Sequence, residues 1–110
     1  MAYSSPALDR SFRALSHPAR RRLVEALSAG PASVGEASRS LGLSKAAVTK
    51  HVRVLEQAGL VLRTVEGRRH RLRLVQPQLD APARWLDEQR RLWESKLDTI
   101  EAMLDEESEA

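Results

Sequence analysis

Residues 33–59, SVGEASRSLGLSKAAVTKHVRVLEQAG, decide the fold of this chain. Ser33 followed three residues later by Glu36 is the pattern of a capping box, which satisfies free backbone N–H groups in the first turn of a helix. Gly42 stands where a residue in the left-handed conformation most readily ends that helix. Ser44 is then placed to cap a second helix. Two short helices joined by a tight turn containing glycine form a helix-turn-helix.

The second of these helices has two chemically different sides. At about 100° per residue, its apolar side chains fall on the side that we expect to pack inward: Ala47, Val48, Val52, Leu55 and Ala58. The other side contains no acid and consists of Lys45, Ala46, Thr49, Lys50 and Arg53. Lysine and arginine neutralise DNA phosphates, whereas threonine and small side chains can approach base edges in the major groove. A solvated surface helix also shows lysines, but the helix-turn-helix spacing favours a recognition helix over residues 44–57.

Charge is divided unevenly along the chain. The net charge is +3, yet residues 1–78 carry 14 Lys/Arg against 5 Asp/Glu, and residues 79–110 carry 4 against 10. A basic first part and an acidic last part indicate that the first part meets a polyanion, most simply nucleic acid.

Composition narrows the classes of function. The 110 residues, 42% hydrophobic and 30% charged, fit one globular domain. No apolar run approaches the roughly 18 residues of a membrane span and no secretory leader is apparent, so we expect a cytoplasmic protein without membrane contact. Cysteine is absent, which removes disulfides and thiolate chemistry. Because phosphate loops and nucleophile elbows are not evident either, we expect no enzyme and no cofactor.

Two further helices are predicted before the helix-turn-helix. Leu8, Phe12 and Leu15 recur at helical spacing, which predicts a first helix over residues 7–16. Pro18 suits the first turn of a second helix.

That second helix begins with a run of arginines, Arg20, Arg21 and Arg22. The run has the composition of a phosphate clamp, but coverage of a solvated face is the simpler interpretation. We expect one of the three arginines to reach acidic partners.

After Gly59 the hydrophobic pattern becomes that of strands. Residues 60–65 are rich in β-formers and residues 71–75 alternate polar with apolar, which predicts a β-hairpin, or wing, with its tip at residues 66–70. Cations at the tip can reach the DNA backbone or minor groove beside the recognition helix. The candidates on this hairpin are Arg68, Arg69 and Arg71. Edge strands also carry charge to prevent aggregation, an interpretation that suits Arg73 better than Arg68.

Residues 79–106 predict one long helix with a broad apolar stripe. The stripe is spaced by seven, four, three and four residues and comprises Leu86, Trp93, Leu97, Ile100 and Leu104. Such a stripe is too wide for a small winged domain to cover alone. Packing within the subunit takes part of it, and a coiled-coil-like homodimer seam is the natural partner for the remainder.

Three segments in combination resemble the arsenic-repressor (ArsR/SmtB) family of bacterial transcription regulators. They are FRALSHPAR at residues 12–20, LGLS at 41–44 and AVTKHV at 47–52, within a match over residues 8–76. The resemblance implies a mainly α winged helix-turn-helix with a β-hairpin wing. It also implies a homodimer joined through its first and last helices, which represses transcription by occupying an operator.

These implications complete the predicted organisation of the chain. Residues 1–110 form a single domain, with a DNA-binding core over 8–76 and a C-terminal dimerisation helix over 79–106. Residues expected at the dimer interface are Leu8, Phe12, Leu15, Leu86, Trp93, Leu97, Ile100 and Leu104.

The chain departs from the metal-sensing members of that family. Those members use cysteines near the helix before the recognition helix, where this chain has VGEA at residues 34–37, or histidines on the final helix, which here has none. The histidines present, His17, His51 and His70, lie on three different elements, whereas zinc sites seldom lack closely spaced ligands. We therefore expect no metal site. His51 is expected to pack or to contact the DNA backbone.

The functional prediction is a homodimer that binds a pseudo-palindromic operator in double-stranded DNA, with half-sites about 10 bp apart. Its candidate DNA-contacting residues are Ser33, Ser44, Lys45, Ala46, Thr49, Lys50, His51, Arg53, Arg68, Arg69 and Arg71. The alternative is a winged-helix module that docks on a protein and has no specific operator, against which the cationic recognition face argues. A small organic effector, a partner protein and autoregulation without a signal all remain open.

Overall fold

The structure, a computed structural model, describes residues 5–109. Residues 1–4 and 110, at the ends of the predicted domain, lie outside the described residues. The elements follow one another as α1 (Pro6–Ala14), α2 (Pro18–Ser28), β1 (Ala32–Ser33), α3 (Val34–Leu41), α4 (Lys45–Gln57), β2 (Val61–Glu66), β3 (Arg69–Leu74) and α5 (Asp80–Glu109). The predicted mainly helical chain with a β-hairpin wing is confirmed, and the wing is the hairpin β2–β3.

The helix-turn-helix is fixed by side chains at its helix ends. Ser33 accepts a hydrogen bond from the Glu36 backbone N–H (3.1 Å) at the start of α3, and Ser44 accepts from the Ala47 N–H (3.1 Å) at the start of α4. Between the two helices Gly42 adopts φ +67°, in the left-handed region. The Glu36 carboxylate accepts from the Ser33 hydroxyl (3.2 Å), whereas in the predicted capping box it would accept from the Ser33 backbone N–H.

Several element ends differ from the prediction. α1 ends at Ala14, two residues early, because the N–H of Ser16 bonds to the Arg13 carbonyl (3.2 Å) and tightens the last turn. A short 3₁₀ turn, Gln76–Leu79, precedes α5, which then continues to Glu109.

A third strand joins the hairpin. β1 pairs antiparallel with β3, with Ala32 opposite Leu72, so that the strand order is β1-β3-β2. Two residues are too short to show strand alternation, and the sequence reading therefore missed this strand. The hairpin loop consists of Gly67 and Arg68. Of these two residues, Gly67 has a positive φ (+64°) and Arg68 does not, as in a type II′ turn.

The core lies between α1–α4 and the inner face of the wing. Its buried members are Ala14, Leu23, Leu27, Ala37, Leu41, Val48, Val52, Leu55, Leu60, Val61, Leu72 and Leu74. On α4 the predicted inward side is confirmed: Val48, Val52 and Leu55 are buried, while Ala47 and Ala58 are half-buried. Burial of this side fixes which side of α4 remains exposed.

The arginines of α2 contact carbonyl groups rather than acids. Arg20 Nε donates to the Ala14 carbonyl (2.6 Å), and Arg21 Nη1 donates to the Leu15 carbonyl (2.8 Å). These carbonyls lie at the C-terminal end of α1, where they lack helical partners and carry partial negative charge. Among residues 5–109 no ion pair joins Arg20, Arg21 or Arg22 to an acid, which differs from the prediction that one of them would reach acidic partners.

α5 from Ala81 onward forms a compact unit of its own. Near its start Asp87 pairs with Arg90 and Arg91, each at 2.6 Å. Its apolar stripe is exposed in the single chain, as detailed below. No helix among residues 5–109 has the length and apolar character needed to cross a membrane.

Candidate nucleic-acid interface

A cationic cleft of about 420 Å³ opens between the N-terminal parts of α3 and α4 and the wing. Its lining includes five cations, namely Arg39, Lys45, Arg63, Arg68 and Arg69, and the acid Glu36. Because the cations outnumber the acid in one concave surface, the cleft attracts anions and focuses positive potential toward solvent.

The fold brings together five of the residues expected to contact DNA. The cleft lining contains Ser33, Lys45, Thr49, Arg68 and Arg69. The first is contributed by the N-cap of α3, the next two by the first turns of α4, and the last two by the wing. Residues distant in sequence therefore share one surface, as an interface built from a recognition helix and a wing requires.

Four further predicted residues lie beside the cleft. Ser44, Ala46, Lys50 and Arg53 are all exposed. The helical spacing of about 100° per residue places them on the outer side of α4, next to the side that lines the cleft. The outer side thus offers cations next to a small side chain, with the shape needed to approach a base edge.

Thr49 is already engaged within its helix. Its hydroxyl donates to the Lys45 carbonyl (2.8 Å), a common arrangement for threonine in a helix. The hydroxyl hydrogen is therefore used, and the oxygen remains free to accept. In this rotamer Thr49 can accept from a base amino group but does not donate to a phosphate oxygen.

Two cations of the cleft were not predicted from the sequence, Arg39 and Arg63. A Cβ on Gly35 would lie 3.7 Å from both Arg39 Nη1 and Lys45 Cε, so Gly35 lies against the two cations. Arg39 follows Gly35 by four residues, and this helical spacing was the available signal. For Arg63 the signal was strand alternation, because it shares the inner face of β2 with Val61.

Two predicted DNA contacts, His51 and Arg71, lie away from this cleft. The His51 ring packs against that of His17 at a centroid distance of 4.5 Å, and its Nδ1 lies 3.5 Å from Arg20 Nη1. Burial, together with the nearby His17, Arg20 and Lys50, lowers the pKa of His51. Arg71 instead lines a smaller neighbouring cavity of about 130 Å³.

The histidines form no metal centre with other ligands in the described part of the chain. Among residues 5–109 no three His, Cys, Asp or Glu side chains are grouped so as to hold a metal ion. His17 Nδ1 accepts from the Ala19 N–H (3.0 Å) as the N-cap of α2. His70 lies elsewhere, in the wing, with its Nδ1 3.4 Å from Arg63 Nη1.

The residues expected at a dimer interface differ in exposure. Leu8 and Phe12 on α1 and Leu15 directly after it are half-buried, and Leu15 packs against the subunit's own core. On α5 the stripe residues are 43–63% exposed: Leu86, Trp93, Leu97, Ile100 and Leu104.

The chain is similar to known regulators over nearly its full length. Residues 15–64 match the sequence family described as a helix-turn-helix domain. The chain is 37% identical over 107 residues to the HTH-type transcriptional regulator Rv2034 of Mycobacterium tuberculosis, covering 97% of this chain and 95% of that protein.

Solved structures share the fold. An ArsR-like transcriptional regulator from Rhodococcus sp. RHA1 superposes with a TM-score of 0.74 at 29% identity, covering 88% of this chain and 92% of that one. The homodimeric winged helix-turn-helix DNA-binding domain Mb0332 of Mycobacterium bovis superposes with a TM-score of 0.61, covering 88% of this chain and 94% of that one. At 21% identity the second match shows the fold alone. The ArsR family transcriptional regulator RHA00566 superposes with a TM-score of 0.73 at 33% identity, covering 80% of this chain and 97% of that one. This match and the match to Rv2034 show that the chain belongs to the ArsR family of winged helix-turn-helix transcriptional regulators.

Proposed function

We propose that this regulator is a homodimeric repressor that binds a pseudo-palindromic operator in double-stranded DNA. The observation that carries the proposal is the continuous cationic surface formed by the cleft and the outer side of α4. In this proposal α4 enters the major groove and the wing lies along the adjacent backbone or minor groove.

Affinity and specificity come from different parts of this surface. Arg68 and Arg69 of the wing, with Arg53 of α4, neutralise phosphates, which supplies salt-dependent affinity. Lys45, Ala46, Thr49 and Lys50 of α4 face base edges, where a good contact discriminates one base pair from another. Groove shape adds specificity at positions that no side chain touches.

A homodimer explains the exposed stripe of α5. Several large apolar side chains along one side of a helix are costly to leave in water, and a second copy of the helix is the partner that the heptad-like spacing fits. Trp93 and Leu104, for example, are 63% and 58% exposed in the single chain. Two copies of α4 held at a fixed distance would read half-sites about 10 bp apart.

Repression follows from occupancy, because a dimer bound over a promoter excludes other proteins from it. We place this activity in the cytoplasm and without a metal signal. The support for the latter is the absence of cysteine from the sequence and the use of His17 as a helix cap.

The proposal is tested by selecting fragments of genomic DNA with the purified protein and sequencing the enriched fragments. The expected result is a two-fold symmetric motif that the protein protects from nuclease digestion and that represses a linked reporter gene. A Lys45→Glu, Lys50→Glu variant is the matched control, because both positions are exposed and neither new charge is buried. This variant should enrich nothing. Equal enrichment of unrelated sequences by both proteins would instead favour a module that docks on another protein.

A further inference from the structure

An acidic residue of α4, Glu56, forms an ion pair with the wing. Glu56 is the acidic residue within Lys45–Gln57, and its Oε1 is buried without a hydrogen-bond partner among the described residues. Arg63 Nε, on β2, lies 3.4 Å from this oxygen and forms an ion pair with it. Both side chains are about 30% exposed, at 28% for Glu56 and 30% for Arg63. Water therefore screens the pair less than it would a fully exposed one.

The guanidinium of Arg63 also contacts β3, the other strand of the wing. Arg63 Nη1 lies 3.4 Å from His70 Nδ1. A guanidinium only donates, so His70 Nδ1 must be the unprotonated, accepting nitrogen. Strand register supports this contact: Arg63 is opposite Leu72 and Val65 is opposite His70, so Arg63 and His70 occupy the same face of the hairpin.

Arg63, which belongs to β2, thus contacts both α4 and β3. Its planar fork of donors can meet two partners in fixed directions, which an ammonium group does less well. Arg63 stands on β2 three residues before its end at Glu66, so this contact fixes the base of the hairpin whose tip carries Arg68.

We propose that Arg63 is a positioning residue that sets the wing at a fixed angle to α4 through Glu56 and His70. This proposal rests on the proposed DNA-binding function. Arg68 and Arg69 then meet the same duplex as α4. The carboxylate of Glu56, although negative and near a DNA-binding surface, strengthens binding because it holds this arrangement.

If Arg63 instead bound a DNA phosphate directly, the expected effect of Glu56→Ala on DNA affinity would be the opposite. Removing an acid near a polyanion site strengthens binding by simple electrostatics. If Arg63 acted only through its charge, Glu56→Ala would free it and tighten the complex. Positioning instead requires that Glu56→Ala weaken the complex.

The experiment measures DNA affinity and its salt dependence for Glu56→Ala, Arg63→Lys, Arg68→Ala and the Arg63→Lys, Arg68→Ala double variant. The probes are a short duplex carrying the sequence enriched from genomic DNA and the same duplex scrambled. Glu25→Ala is the matched control, because it also removes one acid from a helix, here at an exposed position of α2. Thermal melts of every variant report on folding independently of DNA.

We expect Glu56→Ala and Arg63→Lys each to weaken binding about tenfold, within the range of coupling seen between contacting residues, while Glu25→Ala leaves binding unchanged or slightly tighter. Arg68→Ala should have less effect in the Arg63→Lys background than in the wild type, since its phosphate contact is already impaired. Tighter binding by Glu56→Ala, or effects of Arg63→Lys and Arg68→Ala that simply multiply, would overturn the inference. Failure of the wild type to bind either duplex would instead overturn the proposed function.

Discussion

The ring of His51 on α4 packs against the ring of His17, the N-cap of α2, with centroids 4.5 Å apart and planes tilted by 45°. Both Nδ1 atoms serve as acceptors in this arrangement. His17 Nδ1 accepts from the Ala19 N–H, and His51 Nδ1 faces the guanidinium of Arg20, which can only donate. The two rings thus use these nitrogens where α2 meets α4.

We expect acid to destabilise the protein through His51. Burial first, and then the nearby His17, Arg20 and Lys50, lower its pKa from the ordinary value of 6.5. The unfolded chain therefore takes up a proton at a pH where the folded chain does not, and stability rises with pH in that interval. The contribution is fully present above about pH 6.5 and decreases as the pH falls below that value.

The measurement is the free energy of unfolding by denaturant across pH 5 to 8. His51→Gln should reduce the loss of stability below about pH 6.5. Equal pH dependence of the wild type and His51→Gln would contradict the assignment to His51.

Local signals explain what the sequence predicted of the fold. Ser33, Ser44 and Gly42 each act on backbone groups within a few residues of themselves, and all three adopt the expected position at a helix end. The inward side of α4 follows from helical period alone. These features depend on neighbours along the chain and can therefore be predicted without a tertiary structure.

The features that the sequence did not predict depend on contacts between distant residues. The ion pair of Glu56 with Arg63 and the packing of His17 on His51 join separate elements. β1 exists only because β3 passes beside it. Arg39 enters the cleft because α3 packs beside α4, where Gly35 lies against both Arg39 and Lys45. Three of the five cations of the cleft, Lys45, Arg68 and Arg69, were predicted as parts of the recognition helix and the wing, and Arg39 and Arg63 were not.

Loss of the cap of α4 should lower stability measurably. Ser44 accepts from the Ala47 N–H at 3.1 Å, so Ser44→Ala leaves that N–H without its partner. We expect a decrease of about 1 kcal/mol in the free energy of unfolding. Ser40→Ala, at an exposed position within α3, is the matched control and should change stability little. Equal effects of the two substitutions in denaturant titrations would argue against the cap.

Metal ions should not change the affinity for DNA. The sequence lacks cysteine, and residues 5–109 hold no group of three metal-ligating side chains. The measurement is a titration of zinc, cadmium or arsenite into a preformed complex, followed by fluorescence anisotropy of labelled DNA. Release at micromolar metal that a chelator reverses would contradict this expectation.

The wing and α4 should contribute differently to binding. Arg68→Ala removes a cation of the hairpin loop and should weaken binding to matched and mismatched DNA about equally, lowering the salt slope by about 1. Lys50→Ala removes a cation from the outer side of α4 and should instead lower the preference for the operator, by about 1–3 kcal/mol if a base contact is broken. Binding isotherms over several salt concentrations on operator and mismatched duplexes separate the two effects. The same profile for both variants would show that the roles are wrongly divided.

The last prediction concerns Leu97, which lies on the exposed stripe of α5 and is itself 43% exposed. In a homodimer seam a glutamate at this position would bury an unpaired carboxylate, which is strongly unfavourable. Leu97→Glu should therefore produce monomers in sedimentation velocity and abolish cooperative binding to the operator, although it alters no DNA contact. Ser95→Glu adds the same charge on the opposite side of α5 and should leave the dimer intact. A Leu97→Glu protein that remains dimeric and binds with unchanged affinity would show that the stripe packs against something other than a second copy of this chain.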